Sequence, residues 1–509
     1  MSVPVVIVGA GPTGLTAASL LGRYGVECLV LDRWKAVFPQ PRAVHLDDEV
    51  YRTLGRLGLA DVFAATSWPC YGLRLLDPSQ RVLAEFRRAA GDGRHGYPEA
   101  NMFDQPDLER LLRAGLSGPV TLRGGSEVVS VAQSAHGVRV DVIDTDTRRR
   151  ETIEAEYVLG CDGANSLTRT AIGATMEDLR FEQRWFVVDI ATTADLGAWE
   201  GVHQVCDPHR AATYMRIGKT RYRWEFRLLP DENRETFRDH SRLRPLLAPW
   251  TKDIPDSDLD VLRVAEYTFR AQVADRWREG RVFLLGDAAH LTPPFVGQGM
   301  GAGIRDAANL AWKLAGVRAG SLPESALDTY QTERKPHART MIRLAVVIGK
   351  AMTEGGRPGE LIRRVLAPRL ARTPGFSGRV LDSESPPLHR SDMVTRPRLG
   401  RSLAGRLSPN AVLADGRRLD EAAAGRFALV TREELRAPQR AVVQRRGAVL
   451  VHTEPSGELH RWLRAGRARA AVVRPDGTVL AAGRSLTRLL AKLPQFDLVL
   501  NEESTHEHI

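Results

Sequence analysis

Apolar residues near the start of the chain come in short unbroken runs. Residues 5–8 are four consecutive apolar β-formers, and residues 27–31 form a second such run ending at Asp32. Runs of this length mark strands buried on both faces of a parallel sheet. Between them lie a glycine-rich turn and a helical stretch, residues 15–24, which Gly25 is placed to stop. The chain therefore opens on a βαβ unit. Residues 47–57 and 105–116 read as helices, and 71–86 as strands. Alternation over 120–143 reads as antiparallel sheet, and 157–160 is another short apolar strand. Residues 180–270 are strand-rich, with alternation at 222–229 and 261–269. The buried-strand pattern returns at 282–285, and an amphipathic helix follows at 303–314. Further helical segments run to about residue 370. Residues 371–400, rich in Pro, Ser, Gly and Arg, read as a linker. From about 405 a separate module offers strands at 427–430, 448–451 and 470–473, and helices at 459–465 and 486–493.

Composition narrows the class. At 509 residues the chain is long enough for about two to four domains. The net charge of +10 is spread along the sequence, with no basic helix or aromatic–basic ladder, so nucleic acid is not an expected partner. Cys28, Cys70, Cys161 and Cys206 are too far apart for a redox pair or a zinc set, and so few cysteines suit a reducing compartment. The start of the chain lacks a signal-peptide pattern, and no apolar run reaches membrane-spanning length. A cytoplasmic protein with no membrane partner and no bound metal is expected. The tail His506-Glu507-His508 reads as a polar terminus.

Three motifs carry chemistry. Gly9-Ala10-Gly11-Pro12-Thr13-Gly14 follows a buried strand and opens a helix, and Asp32 comes 18 residues after Gly14. Gly9 suits the tight turn, Gly11 lets backbone amides approach a pyrophosphate, and Gly14 allows close helix–sheet packing. Asp32 would accept hydrogen bonds from ribose hydroxyls and repel a 2′-phosphate, which favours FAD or NAD at this site. The second motif is Cys161-Asp162-Gly163-Ala164-Asn165-Ser166 with Arg169, after the short strand at 157–160; alone it reads as a common Asp-Gly turn. The third is Gly286-Asp287-Ala288-Ala289-His290, then Pro293-Pro294 and Gly297-Gln298-Gly299-Met300-Gly301, leading into a helix. Here Asp287 is placed to bond ribityl hydroxyls. The helix N-terminus suits the flavin edge where negative charge collects on reduction.

In order and spacing these strings resemble the class A FAD-dependent aromatic monooxygenases, the group of 3-(3-hydroxyphenyl)propionate hydroxylase, phenol hydroxylase and polyketide aromatic hydroxylases. The stretch from Arg42 to Glu49, Gln105-Pro106, residues 204–208, Arg223-Trp224-Glu225-Phe226 and residues 304–314 also carry the resemblance. It implies a mixed α/β fold with a discontinuous Rossmann-like FAD domain (1–75, 101–178 and 270–345). An antiparallel-sheet substrate domain (76–100 and 179–269) is inserted in it. A helical segment and linker (346–400) and a thioredoxin-like C-terminal domain (401–509) follow. Residues 400–509 contain no cysteine, so that last domain cannot exchange disulfides and is expected to serve packing or oligomer contacts. The implied activity is hydroxylation of a phenolic substrate by NADH or NADPH and O2, through a C4a-hydroperoxide of the flavin. No second Rossmann domain is implied, so the nicotinamide visits the flavin transiently.

The resemblance also implies site roles. Gly9, Gly11, Gly14, Asp32, Arg33, Arg42, Gln105, Asp162, Asp287, Gly297, Gly299 and Met300 are expected at the cofactor, and Asp47, His45 and Pro294 at the reaction. A phenol has a pKa of about 10, so a proton acceptor near its hydroxyl is useful. Phenol hydroxylases place an acid close to where Asp47 stands; His45 is the competing base, and Asp47 or Asp48 equally suits a helix cap. An oxidase or dehydrogenase of the same flavin fold is the alternative function. The substrate, the choice of nicotinamide, a homo-oligomeric state and the pocket residues of 180–270 stay open at this level.

Overall fold

The computed structural model describes residues 2–40, 42–88, 91–354, 385–397 and 402–500. Much of the expected linker (371–384 and 398–400) and the His506-Glu507-His508 tail lie outside the described residues. Strand Ser2–Val8 sits at the centre of a parallel sheet, between Cys28–Leu31 and Arg150–Gly160. Val120–Arg123 and Val282–Leu284 lie beyond these on either side. Val5, Val6, Ile7, Val30, Val158 and Leu284 are all fully buried, because both faces of the sheet are covered. That is why these strands are written as unbroken apolar runs. Helix Pro12–Arg23 packs against helix Gly299–Arg318 over this sheet.

One expectation is corrected here. Residues 120–143 are not all antiparallel: Val120–Arg123 is a parallel strand beside Cys28–Leu31, and the antiparallel hairpin is Ser126–Gln133 with Val138–Asp144. Val120–Arg123 lies at the sheet's edge and is partly exposed, so its alternation mimics that of an antiparallel strand.

The second sheet has eight strands in the order His290–Leu291, Asp260–Ala274, Met176–Ala191, Arg221–Arg227, Ala212–Arg216, Val202–Val205, Gly72–Leu76 and Val82–Arg87. Neighbours are antiparallel except Val202–Val205 with Gly72–Leu76. This layer thus takes in residues 72–75, ahead of the expected break at 76. Its strands alternate because its two faces differ. Phe186, Val188, Ile190, Trp224 and Phe226 pack on Leu243, Leu247 and Trp250 of helix His240–Thr251. Trp185, Val187, Asp189, Arg223 and Glu225 share the opposite face. A small sheet of His45–Asp47, Ala100–Phe103 and Ser67–Pro69 completes this part of the molecule.

The C-terminal module is a four-stranded sheet in the order Val449–His452, Ala428–Thr431, Ala470–Val473, Val479–Gly483. The first pair is parallel and the others antiparallel, with helices after each of the first two strands in sequence, which is a thioredoxin-like arrangement. It docks on helix Gly299–Arg318, where Trp312 meets Phe427 and Phe496 edge to face. Among the described residues no helix is long and apolar enough to cross a membrane.

Candidate active site

The first glycine loop is shaped by what it cannot hold. Gly9 has φ +103°, and a Cβ there would stand 2.5 Å from the Cys161 carbonyl oxygen. At Gly14 a Cβ would stand 2.0 Å from the Gly9 carbonyl oxygen. Gly11, by contrast, faces open space: a Cβ on it would meet nothing within 4 Å. It is the N-cap of helix Pro12–Arg23, with no side chain satisfying the first turn. The amides and the positive end of the helix dipole are thus left for an anion. Asp32 steadies the loop, accepting from the Ala10 N–H at 2.6 Å and the Trp34 N–H at 2.7 Å.

Two further loops close around it. Asp162 turns inward and accepts from the Ser166 hydroxyl at 2.6 Å and from the Thr168 N–H and hydroxyl at 2.9 and 3.0 Å. These bonds set the shape of the turn. Arg169 then ties that turn to the third motif through the Ala288 carbonyl at 3.0 Å. Within the third motif, Asp306 accepts from the Gly286 N–H at 3.0 Å and pairs with Arg334 at 2.8 Å. Asp287 is left open to the central cavity, and crowding by protein lifts its carboxyl above the ordinary value. Gly297 is left-handed at φ +63°, and a Cβ there would collide with His45 Nδ1 at 2.5 Å. Helix Gly299–Arg318 starts just beyond it, again without a side-chain cap.

Asp47 does not face the cavity, which corrects the expectation that it meets the substrate. It is 1% exposed and caps helix Asp48–Arg56, accepting from the Val50 N–H at 2.9 Å. Its other oxygen accepts from Gln298 Nε2 at 2.7 Å and pairs with Arg305. Burial alone would raise its carboxyl, but Arg305, Gln298 and the Val50 amide outweigh burial and hold it below the usual range. Both of its oxygens are bonded within the protein, one to the cap and one to Gln298 and Arg305.

His45 does line the cavity. Burial, then the nearby Arg88 charge, lowers its pKa to about 4, so the ring is neutral at neutral pH. Gln105 also borders the cavity but uses its amide on the protein. Its Oε1 accepts from the Arg42 and Ala43 N–H groups at 3.0 and 2.7 Å, and its Nε2 donates to Glu109. Arg42 is thereby fixed at the backbone while its side chain stays exposed at the cavity. Arg33 is exposed, with its guanidinium over the Trp34 ring.

One cavity of about 440 Å³ unites these parts. At one end are Gly11, Pro12, Thr13, Asp287, Pro294, Gly297, Gly299 and Met300. At the other is the inner face of the antiparallel sheet, with Trp185, Val187, Thr213, Met215, Glu225, Tyr267 and Phe269. The sequence assigns none of this second group to the pocket, although Glu225 belongs to a stretch that carries the resemblance and the alternation over 222–229 separates Arg223, Glu225 and Arg227 from their neighbours.

A family model described as an FAD binding domain matches residues 2–345. The chain belongs to this FAD-binding family. The three loops suit the cofactor: two uncapped helix N-termini, an open Gly11 and the carboxylates of Asp32 and Asp287 make a donor and acceptor set for a dinucleotide. Among curated members, the chain is 37% identical over 398 residues to the 3-(3-hydroxy-phenyl)propionate/3-hydroxycinnamic acid hydroxylase of Mycolicibacterium smegmatis, covering 76% of this chain and 68% of that one. It is 34% identical over 510 residues to a Rhodococcus jostii protein named "Probable NADH-specific resorcinol 4-hydroxylase", covering 96% and 93%. Among solved structures, a ternary complex of aklavinone-11 hydroxylase with FAD and aklavinone superposes with a TM-score of 0.80 at 25% identity, covering 97% of this chain and 98% of that one.

Proposed function

We propose that this protein is an FAD-dependent monooxygenase that hydroxylates a phenolic ring at the expense of NADH or NADPH and O2. The observation that carries the reading is the single cavity, which runs from the dinucleotide loops to an aromatic-lined sheet face. The hydroxylase names of the FAD-binding relatives support it, and they disfavour the oxidase or dehydrogenase alternative. The relative that matches across nearly the whole chain favours NADH and a small dihydroxybenzene of the resorcinol kind; a hydroxyphenylpropionate or a larger polyketide phenol is the second choice.

FAD, when bound, supplies the redox chemistry, taking up reducing equivalents from the nicotinamide and delivering one atom of O2 to the ring. The chain's own residues do the rest. Gly11 and the N-terminus of helix Pro12–Arg23 receive the pyrophosphate, Asp32 the adenosine ribose and Asp287 the ribityl hydroxyls. The N-terminus of helix Gly299–Arg318, with Gly299 and Met300, faces the electron-rich edge of the flavin. Asp47 reaches that edge only indirectly, by holding Gln298 and Arg305. Arg42, exposed at the cavity, is placed for the visiting nicotinamide. Pro294 and Phe295 wall the reaction space, and Trp185, Phe269 and Met215 keep it dry. His45, being neutral, serves as a hydrogen-bonding group and not as a strong base.

The test is the purified flavoprotein supplied with NADH or NADPH, ¹⁸O2 and a phenol panel of resorcinol, 3-(3-hydroxyphenyl)propionate and a polycyclic phenol. One labelled oxygen in the product and nicotinamide oxidation stimulated by that phenol are expected. Nicotinamide oxidation that yields peroxide alone across the panel would put the oxidase in its place.

A further inference from the structure

The inner face of the antiparallel sheet carries cross-strand rows, set by the register. Tyr267 lies opposite Trp185; next come Val187, Glu225, Thr213 and Gln204; then Arg263, Asp189, Arg223 and Met215. Most carboxylate and amide groups of these rows are bonded to neighbours, and Arg263 pairs with Asp189 at 3.5 Å. Asp189 accepts two hydrogen bonds from Arg223, at 2.7 and 3.0 Å. Thr213 donates to Gln204 Oε1 at 3.1 Å, and Gln204 Nε2 donates to the Val205 and Ala212 carbonyls. Glu225 has no hydrogen bond from any described residue. Its nearest cation is Arg223 Nη1 at 4.0 Å, and its side chain keeps 13% of its surface, on the cavity. A largely buried carboxylate that faces a cavity and takes no donor from the protein is placed to accept a hydrogen bond from what fills the cavity.

We propose that Glu225 receives a ring hydroxyl of the substrate, anchoring the ring by it and taking its proton as the ring is hydroxylated. The phenolic O–H bond breaks, its electron pair stays on the substrate oxygen, and the proton passes to a Glu225 carboxylate oxygen. The negative charge so developed enriches the ring for attack on an electrophilic oxygen. Burial, with the Asp189 charge behind it, lifts the Glu225 carboxyl above its usual value and against the pull of Arg223, which brings it closer to a phenol as a proton acceptor. This makes Glu225 a catalytic residue, in the place where the sequence pointed to Asp47. The inference rests on the function proposed above.

The experiment uses FAD-loaded wild type, Glu225→Gln and Glu225→Asp, with resorcinol and its dimethyl ether as probes. Dissociation constants are read from the perturbation of the flavin spectrum, and coupling from product formed per NADH. Wild type is expected to prefer resorcinol over the ether by roughly 10- to 150-fold, the ratio for a hydrogen bond to a charged group. Glu225→Gln should lose most of that preference and release peroxide in place of product, and Glu225→Asp should recover part of both. Glu225→Gln with wild-type resorcinol affinity and wild-type coupling overturns the proposal while leaving the hydroxylase reading intact. If Glu225→Gln does not fold, the wild-type comparison decides: equal affinity for resorcinol and its ether overturns it. If wild type hydroxylates no phenol of the panel, the functional reading itself fails and the proposal with it.

Discussion

Carboxylates brought to one region of the fold do different work according to what surrounds them. Asp287 is open to the cavity, while Asp47 is sealed at 1% exposure with both oxygens bonded within the protein. Two expected outcomes follow from that contrast. Asp287→Ala removes an acceptor for neutral hydroxyls, worth on the order of 1.5–3 kcal/mol, so FAD affinity should fall roughly 10- to 150-fold. The variant should purify pale, and flavin released on denaturation counts the loss; full flavin occupancy would refute the assignment. Asp47→Asn keeps its shape but removes one of the two counter-charges of Arg305, leaving Glu49 at 2.8 Å. Losing charge-assisted hydrogen bonds of this kind costs on the order of 1.5–3 kcal/mol. Thermal unfolding should therefore shift well down, whereas a base in contact with substrate would alter coupling at unchanged stability. Sequence alone left the two roles of Asp47 open, because the deciding partners, Gln298 and Arg305, lie about 250 positions away.

Among elements, those whose pattern is set locally were the legible ones. The βαβ unit, the third-motif strand and the helix it feeds declare themselves because buried parallel strands need unbroken apolar runs and the phosphate turn needs glycine. Val120–Arg123 was misread because an edge strand alternates whatever its direction. The cavity-facing row of Glu225 was out of reach for another reason: alternation separates the two faces of a strand but does not say which one meets a ligand. The Gly297 turn tests how tightly the helix start is set. Its φ of +63° strains any L side chain, and a Cβ would press on His45 Nδ1. Gly297→Ala should thus displace either His45 or the first turn of helix Gly299–Arg318. The expected readouts are a shifted flavin absorbance spectrum and slower turnover, while a variant spectrally and kinetically identical to wild type would show that the turn adapts freely.

At the scale of the whole molecule, the cysteine-free C-terminal module is bound to the FAD-binding part by buried charge as well as by aromatic packing. Glu333, on the long helix Asp328–Thr353, is fully buried and accepts from Lys313 at 2.9 Å, Arg474 at 2.9 Å, Asn309 at 2.8 Å and Ser391. Arg474 belongs to the module, and Asp420 of the module answers it across the interface by pairing with Arg52 and Arg56. Burial opposes the charge on Glu333, but Arg474 and Lys313 prevail and hold its carboxyl at about 2. An unfolded glutamate titrates near 4.3. Because the folded value is the lower one, the contribution of Glu333 is complete above the unfolded value and is lost as pH falls from there toward about 2. Glu333→Gln removes that titration and leaves buried Lys313 without a carboxylate partner, while Arg474 keeps Asp476, so at neutral pH it should destabilise by about 3–5 kcal/mol. Other depressed carboxylates, Asp306 and Asp420 among them, give both proteins a common acid slope, so the difference between them is the informative quantity. Melting temperatures of wild type and Glu333→Gln, measured from pH 7 down to pH 3, should converge as the pH falls, because only wild type loses the Glu333 term. A gap that stays constant across that range would mean that Glu333 is not held ionised by Lys313 and Arg474 at this interface.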